Sequence, residues 1–333
     1  MIDRDYRLDI IRVLAMISIF MCHLFQIYNF YKIAFWLNIG VQLFFIISAL
    51  LSSNMTFTVP GQVSVYYKKR LKKLFLPLWI YVIVITIILF LIGWPQKTKS
   101  VVLYLLGLAA FSESGILGLA HLWFVSIILI CYALVPAFIL VQSQSRKKLF
   151  RIVALILIGI VVCFYKLGYG AYGVYISFFI GVFYWFGNKG HWNYSFKRAK
   201  SRFFVPVAII ICIRLMLDNN SDVSDLYFYD GFIIPITKCV IAMFIFIVLY
   251  SLDFRVLKNK KFILYLSNIS YEFYIVHQFI LLSVNRFIPC CSEEYIFGIL
   301  LGGMISLVLT FFNAIALKKL VNFFLNCRPV KND

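Results

Sequence analysis

The sequence predicts an all-α polytopic membrane protein of about ten transmembrane helices, with both termini in the cytoplasm. Three observations predict it. The 333 residues are 63% hydrophobic and only 14% charged, with a mean hydropathy of +0.94, whereas a soluble globular chain is about 45–50% apolar and about 25% charged. Apolar runs recur at the length a bilayer needs, roughly 20 residues. Basic residues alternate between loops, being dense in one set and sparse in the other. A soluble protein, a disordered chain and a disulfide scaffold are excluded.

The spans follow in order. The first, 10–30, enters behind Arg4 and Arg7; it carries Arg12 and lacks a small-x-small cleavage site, so it is a retained anchor rather than a signal peptide. The second, 33–53, follows a short loop with Lys32. The third, 74–94, begins after the basic run Lys68 to Lys73. The stretch 101–111 is apolar but too short to span, and is expected to lie in the interface or re-enter the membrane. The fourth span, 119–142, opens at His121-Leu122-Trp123. Lys166 separates the fifth, 150–166, from the sixth, 171–187. The seventh and eighth, 203–217 and 232–252, flank a loop with Asp218, Asp222, Asp225 and Asp230. The ninth, 262–285, follows the basic stretch 255–261, and the tenth, 295–317, stops before Lys318 and Lys319.

With the N-terminus inside, 24 of the 32 Lys and Arg fall on the cytoplasmic side, five in the outer loops and three, Arg12, Arg214 and Lys238, within spans. That alternation accounts for the net charge of +19 better than a nucleic-acid partner does. Residues 1–333 read as a single integral-membrane domain with no internal repeat. Of the eight cysteines, Cys22, Cys131, Cys163, Cys212 and Cys239 lie in apolar runs and act as small hydrophobes. Cys290 and Cys291 are adjacent in a loop, and neither a CxxC pair nor HExxH points to a metal.

Ionisable groups inside a bilayer are expensive and are functional candidates by default. Arg12 and His23 share the first span. His23 lies eleven positions after Arg12, roughly 16 Å of helix and close to three turns, so they lie on about the same face. Arg12 falls near the cytoplasmic surface, where it can snorkel or pair with Asp9; His23 falls beyond the midplane, with no headgroup in reach. His277, in Ser270-Tyr271-Glu272-Phe273-Tyr274-Ile275-Val276-His277, falls at a similar depth, and His121 is also in the outer half. A lone membrane histidine is often a helix-packing hydrogen bonder; three at one depth make a candidate site. His191 lies in a basic loop and reads as solvated.

These residues resemble the signature of acyltransferase family 3, multi-span O-acyltransferases of cell-surface glycans. Leu8-Asp9, Arg12 and His23 resemble its Arg-x10-His motif. Gly40 to Ser48 resembles its G-x-x-x-FF-x-x-S segment, and Arg70-Leu71-Lys72-Lys73 with Pro77 its R-x-x-R stretch. His121-Leu122-Trp123-Phe124 with Tyr132 and Pro136 resembles its LWF…Y…P span, in the branch whose motif begins with His. Phe178-Phe179-Ile180-Gly181 and Ser270-Tyr271…Tyr274…His277 resemble the later segments. One departure is Lys73 at the second basic position, where a bidentate phosphate grip becomes a point charge.

The resemblance implies a multi-pass bacterial inner-membrane enzyme. It would transfer an acyl group, most often acetyl, from cytoplasmic acyl-CoA to a sugar hydroxyl of a polysaccharide such as O-antigen or exopolysaccharide, or of its lipid-linked precursor. Acetyl-CoA is then a donor substrate, with no permanently bound cofactor, no metal and no nucleic-acid partner. Arg70, Lys73 and Lys69 would meet the phosphates of the donor. His23 would be the base that takes the hydroxyl proton, or a covalent acyl carrier, with Arg12 orienting the donor and His277 completing the catalytic set. His121, Trp123 and Tyr274 would contact the acceptor; Tyr274, three residues before His277, could also hold its tautomer. A transporter or flippase of a glycan or acyl group, without transfer chemistry, is the competing function.

Overall fold

A computed structural model of the protein describes residues 5–53, 61–141, 146–187, 207–212, 229–252, 260–287 and 296–326. It is 90% helix, with no strand among the described residues. Of the residues read above, His191, Arg214, Asp218 and the Cys290-Cys291 pair lie outside the described residues.

Helix α1 spans Tyr6–Ile27. The second apolar run divides at Asn38 into α2, Tyr31–Leu37, and α3, Ile39–Ser53; the Ser18 hydroxyl caps the end of α2 by donating to the Leu37 carbonyl at 2.6 Å. Helix α4, Gly61–Leu91, starts well before its apolar run and takes in the whole basic stretch and Pro77. Lys, Arg and Leu are good helix formers, so the run extends the span rather than capping it. The stretch at 101–111 is too short to cross: α5 covers Thr98–Leu105 and a 3-10 turn covers Ala109–Phe111. A second 3-10 turn, Ala120–Leu122, leads into α6, Trp123–Val141. Helices α7, Arg146–Leu167, and α8, Tyr169–Gly187, follow. A π turn at Tyr229–Ile233 leads into α9, Ile234–Ser251. Helix α10 is Lys260–Phe287 and α11 is Ile296–Asn326.

Among the described residues six stretches are long and apolar enough to cross a membrane: Tyr6–Ile27, Tyr31–Ser53, Gly61–Leu91, Ala120–Ala137, Asp230–Ser251 and Phe297–Asn326. Leu155–Leu167 and Tyr169–Tyr184 are shorter apolar helices.

Contacts group the chain into two compact units. The first comprises Met1–Ala15, Asn38–Tyr67 and Ile127–Leu264. Its centre is the packing of α3 on α8, with α9 against both. A Cβ on Gly181 would lie 2.9 Å from the Ala49 Cβ and 3.2 Å from the Ile46 carbonyl oxygen, so only glycine lets these two backbones meet. Near its N-terminal end, Asp5 accepts hydrogen bonds from the Arg7 backbone (3.1 Å) and guanidinium (3.0 Å) and from the Tyr250 hydroxyl, while Arg7 stacks 3.9 Å over the Tyr250 ring.

The second unit comprises Met16–Leu37, Lys68–Ser126 and Tyr265–Asp333. Here α10 is the central helix. The Tyr271 hydroxyl donates to the Leu74 carbonyl at 2.9 Å, and the Tyr81 hydroxyl to the Val276 carbonyl at 3.1 Å. Ascending together, these contacts show that α4 and α10 run in the same direction. Phe273 packs on Phe20 of α1 at 5.8 Å and on Phe311 of α11 at 4.9 Å. Lys318 of α11 donates to Glu272 of α10 at 2.8 Å.

Candidate active site

Three of the four histidines meet in the second unit. His23 comes from α1, His121 from the turn before α6, and His277 from α10. Their ring centroids lie 4.7 Å apart for His121 and His277, 5.1 Å for His23 and His277, and 6.3 Å for His23 and His121. His121 and His277 are 2% and 1% exposed, while His23 is half-buried. The similar depths expected from the sequence are thus joined by actual proximity.

The three rings are held by different partners. His23 Nδ1 lies 2.8 Å from Gln26 Oε1, one turn along α1. The amide oxygen is an acceptor, so Nδ1 carries the proton and Nε2 keeps the lone pair. His277 Nδ1 is 2.6 Å from the Tyr274 carbonyl oxygen and donates to it, which again leaves Nε2 basic; that Nε2 is buried and has no hydrogen-bond partner. His121 differs. Its Nε2 lies 2.9 Å from the Tyr274 carbonyl oxygen and 3.1 Å from that of Ile275, and its Nδ1 is 2.7 Å from Gln278 Oε1. Oxygen atoms face both His121 nitrogens, so the ring is held by the scaffold at both ends whichever nitrogen carries its single N–H.

Tyr274 is the hub of the cluster. Its carbonyl oxygen lies within hydrogen-bond distance of both His121 Nε2 and His277 Nδ1. Its hydroxyl donates at 2.5 Å to the His121 carbonyl, and its ring packs on Phe124 at 4.8 Å. The 3.6-residue turn puts Tyr274 and His277 on one face of α10, as expected for residues three apart. Trp123 opens α6 half-buried, and its neighbour Phe124 packs on Tyr274 of the cluster.

The remaining predicted residues lie elsewhere. Arg12 belongs to the first unit, where its guanidinium stands 3.8 Å from the buried Asp9 carboxylate, the pairing the i,i+3 spacing allows. Lys69, Arg70 and Lys73 lie on α4, with Lys69 and Lys73 exposed and Arg70 half-buried. Arg70 precedes Tyr81 by eleven residues, so the basic run stands roughly 16 Å along α4 from the level where Tyr81 meets Val276 beside His277. Glu272 is buried and paired with Lys318 rather than facing the histidines.

Two residues of the cluster, Gln26 and Gln278, were not singled out from the sequence. The signal available was an amide side chain in an otherwise apolar helix, three residues after one histidine and immediately after another. Among the described residues, no group of three His, Cys, Asp or Glu is arranged to hold a metal ion.

The acyltransferase domain family matches residues 5–317, a stretch that contains all three histidines and nearly the whole chain. The chain belongs to acyltransferase family 3. It is therefore a membrane acyltransferase. Comparisons with curated proteins and with solved structures find no match to this chain.

Proposed function

We propose that this acyltransferase transfers an acyl group, most simply acetyl, from cytoplasmic acyl-CoA to a hydroxyl of a cell-surface polysaccharide or its lipid-linked precursor. The observation that carries the proposal is His23: its Nδ1 is spent on Gln26 and its Nε2 lone pair is left over beside two other imidazoles. A sugar hydroxyl is a poor nucleophile, and a positioned imidazole can take its proton as the oxygen attacks the thioester, an effect worth about 10²–10⁴ in rate. Arg12, eleven residues toward the N-terminus on α1, contacts the donor in this proposal. Arg70, Lys69 and Lys73 hold the phosphates of acyl-CoA. Their distance of roughly 16 Å along α4 from the histidine level suits an extended pantetheine arm. His277 supports His23, and His121, Tyr274 and Trp123 border the acceptor. Ten spans with cytoplasmic termini, in a bacterial inner membrane, give the orientation this requires: basic residues inside and histidines in the outer half.

The test is transfer of labelled acetyl from acetyl-CoA in membrane vesicles bearing wild type or His23→Ala, with extraction of the surface glycan. Label on the wild-type glycan and none with the variant is expected. Label with both would remove His23 as the base; label with neither would remove the donor and acceptor classes.

A further inference from the structure

We infer that Gln278 is a further catalytic residue, whose side-chain amide N–H stabilises the oxyanion formed on the acyl group during transfer. The inference rests on the acyl-transfer reading above and adds a residue to it. The orientation of the Gln278 amide follows from the chemistry of its partners. A backbone N–H can only donate, and the His121 backbone N–H lies 3.0 Å from one end of the amide; that end must be the oxygen. His121 Nδ1 addresses the same oxygen at 2.7 Å. Turning the amide over would set its NH2 group against the backbone N–H.

His121 is itself held still. Its Nε2 is tied to two carbonyls of α10, and its own carbonyl accepts from the Tyr274 hydroxyl. The acceptor end of Gln278 is thus pinned by two atoms of an immobile residue. Among the described residues the donor end, Nε2 with two N–H bonds, makes no hydrogen bond, and Gln278 is half-buried rather than sealed in the core. The pinned oxygen is bonded to the residue whose ring is 4.7 Å from His277. A membrane helix rarely leaves an oriented amide donor unspent. A donor fixed in advance, on the residue that follows His277 in α10, is what a developing oxyanion requires.

In the step proposed, the acceptor hydroxyl oxygen bonds to the thioester carbon and its proton passes to His23 Nε2. The carbonyl π pair moves onto oxygen, where the Gln278 N–H meets it. On collapse the C=O bond is restored, the C–S bond breaks, and the thiolate of CoA takes the proton back from His23. Gln278 keeps both its protons throughout.

Two variants test this in the full-length protein in vesicles. Gln278→Glu keeps an oxygen for His121 but replaces the donor with a carboxylate; Gln278→Met keeps the chain shape without either. Both are read by labelled acetyl transfer and by slow release of thiol from acetyl-CoA in water, since hydrolysis passes through the same oxyanion. Both rates should fall about 10²–10³-fold in kcat, with the KM for acetyl-CoA within about threefold and the protein present at wild-type level. Either variant within about threefold of wild-type kcat overturns the inference. Loss of transfer with hydrolysis unchanged also overturns it, by making Gln278 an acceptor-binding residue. If one variant does not accumulate, the other decides; if neither does, Gln278 is structural and the inference fails. No transfer by wild type would instead refute the acyl-transfer reading itself.

Discussion

Gly118 is expected to be the most sensitive glycine in the second unit, through two separable costs. Its φ of +73° lies in the left-handed region, and an added Cβ would sit 2.6 Å from the Phe279 Cδ2, 2.7 Å from its Cα and 2.9 Å from its Cβ. The backbone term alone costs about 1–2 kcal/mol for an L-residue. The overlap adds about 1–3 kcal/mol of overpacking, because the Phe279 Cα cannot swing away as a side-chain tip can. Gly118→Ala should therefore lose about 2–5 kcal/mol. Two other glycines serve as controls. Gly93 has φ +71° with nothing within 4 Å, so Gly93→Ala should show the backbone cost alone, about 1–2 kcal/mol. Gly115 has no positive φ, and its nearest atoms are at 3.8 and 4.0 Å, so Gly115→Ala should stay within about 0.5 kcal/mol. The assay is denaturant unfolding of the three purified variants in nanodiscs, paired with acetyl transfer in vesicles. Gly118 precedes His121 by three residues, so relief of the overlap displaces the loop that holds Gln278 and the α10 carbonyls. A displacement near 1 Å costs about 10²-fold in rate. Equal stability and equal transfer for Gly118→Ala and Gly93→Ala would refute the claim that this close approach positions His121.

Three further outcomes follow from the contacts described. Gln26→Leu removes the partner of His23 Nδ1; transfer should lose at least about tenfold of the 10²–10⁴ a general base supplies, with donor KM unchanged, and wild-type kinetics would show that Gln26 does not set the tautomer. Lys318→Met strands the Glu272 carboxylate, which is 3% exposed and whose Oε2 already lacks a partner. Breaking a buried pair costs about 3–5 kcal/mol, and the lower end applies because Lys318 is 29% exposed. Adding Glu272→Gln to that variant should recover much of the loss, and no recovery in unfolding experiments would contradict the pairing. Finally, burial alone would raise the Asp5 carboxyl, but the hydrogen bonds from Arg7 and Tyr250 and the Arg7 charge outweigh it and hold the carboxyl below its ordinary 3.8. A depressed folded value stabilises above the unfolded one, and that stability is lost as pH falls through the folded value. Wild type should therefore lose stability steeply in acid below pH 3.8, and Asp5→Asn should be flatter there; parallel acid limbs would refute the linkage.

The sequence by itself determined the class of protein, its helical content and the three histidines. These rest on local or compositional physics: hydropathy over 20 residues sets what a bilayer accepts, and an ionisable group in an apolar run is costly wherever the run packs. The Asp9–Arg12 pair and the shared face of Tyr274 and His277 were legible for the same reason, since helical spacing alone decides them. Element ends were less legible. Helix α4 begins at Gly61 because a lysine-rich stretch is as helical as the apolar run it joins, and hydropathy marks only the latter. The convergence of His23, His121 and His277 was decided only by tertiary structure. It brings together residues 98 and 156 positions apart through the packing of α10 on α1 and on the turn before α6. So were the different partners of the three imidazoles. Which nitrogen keeps a lone pair depends on which oxygens face the ring; Gln26 is a helical neighbour of His23, but the oxygens of Tyr274, Ile275 and Gln278 reach His121 from another helix and only through tertiary packing.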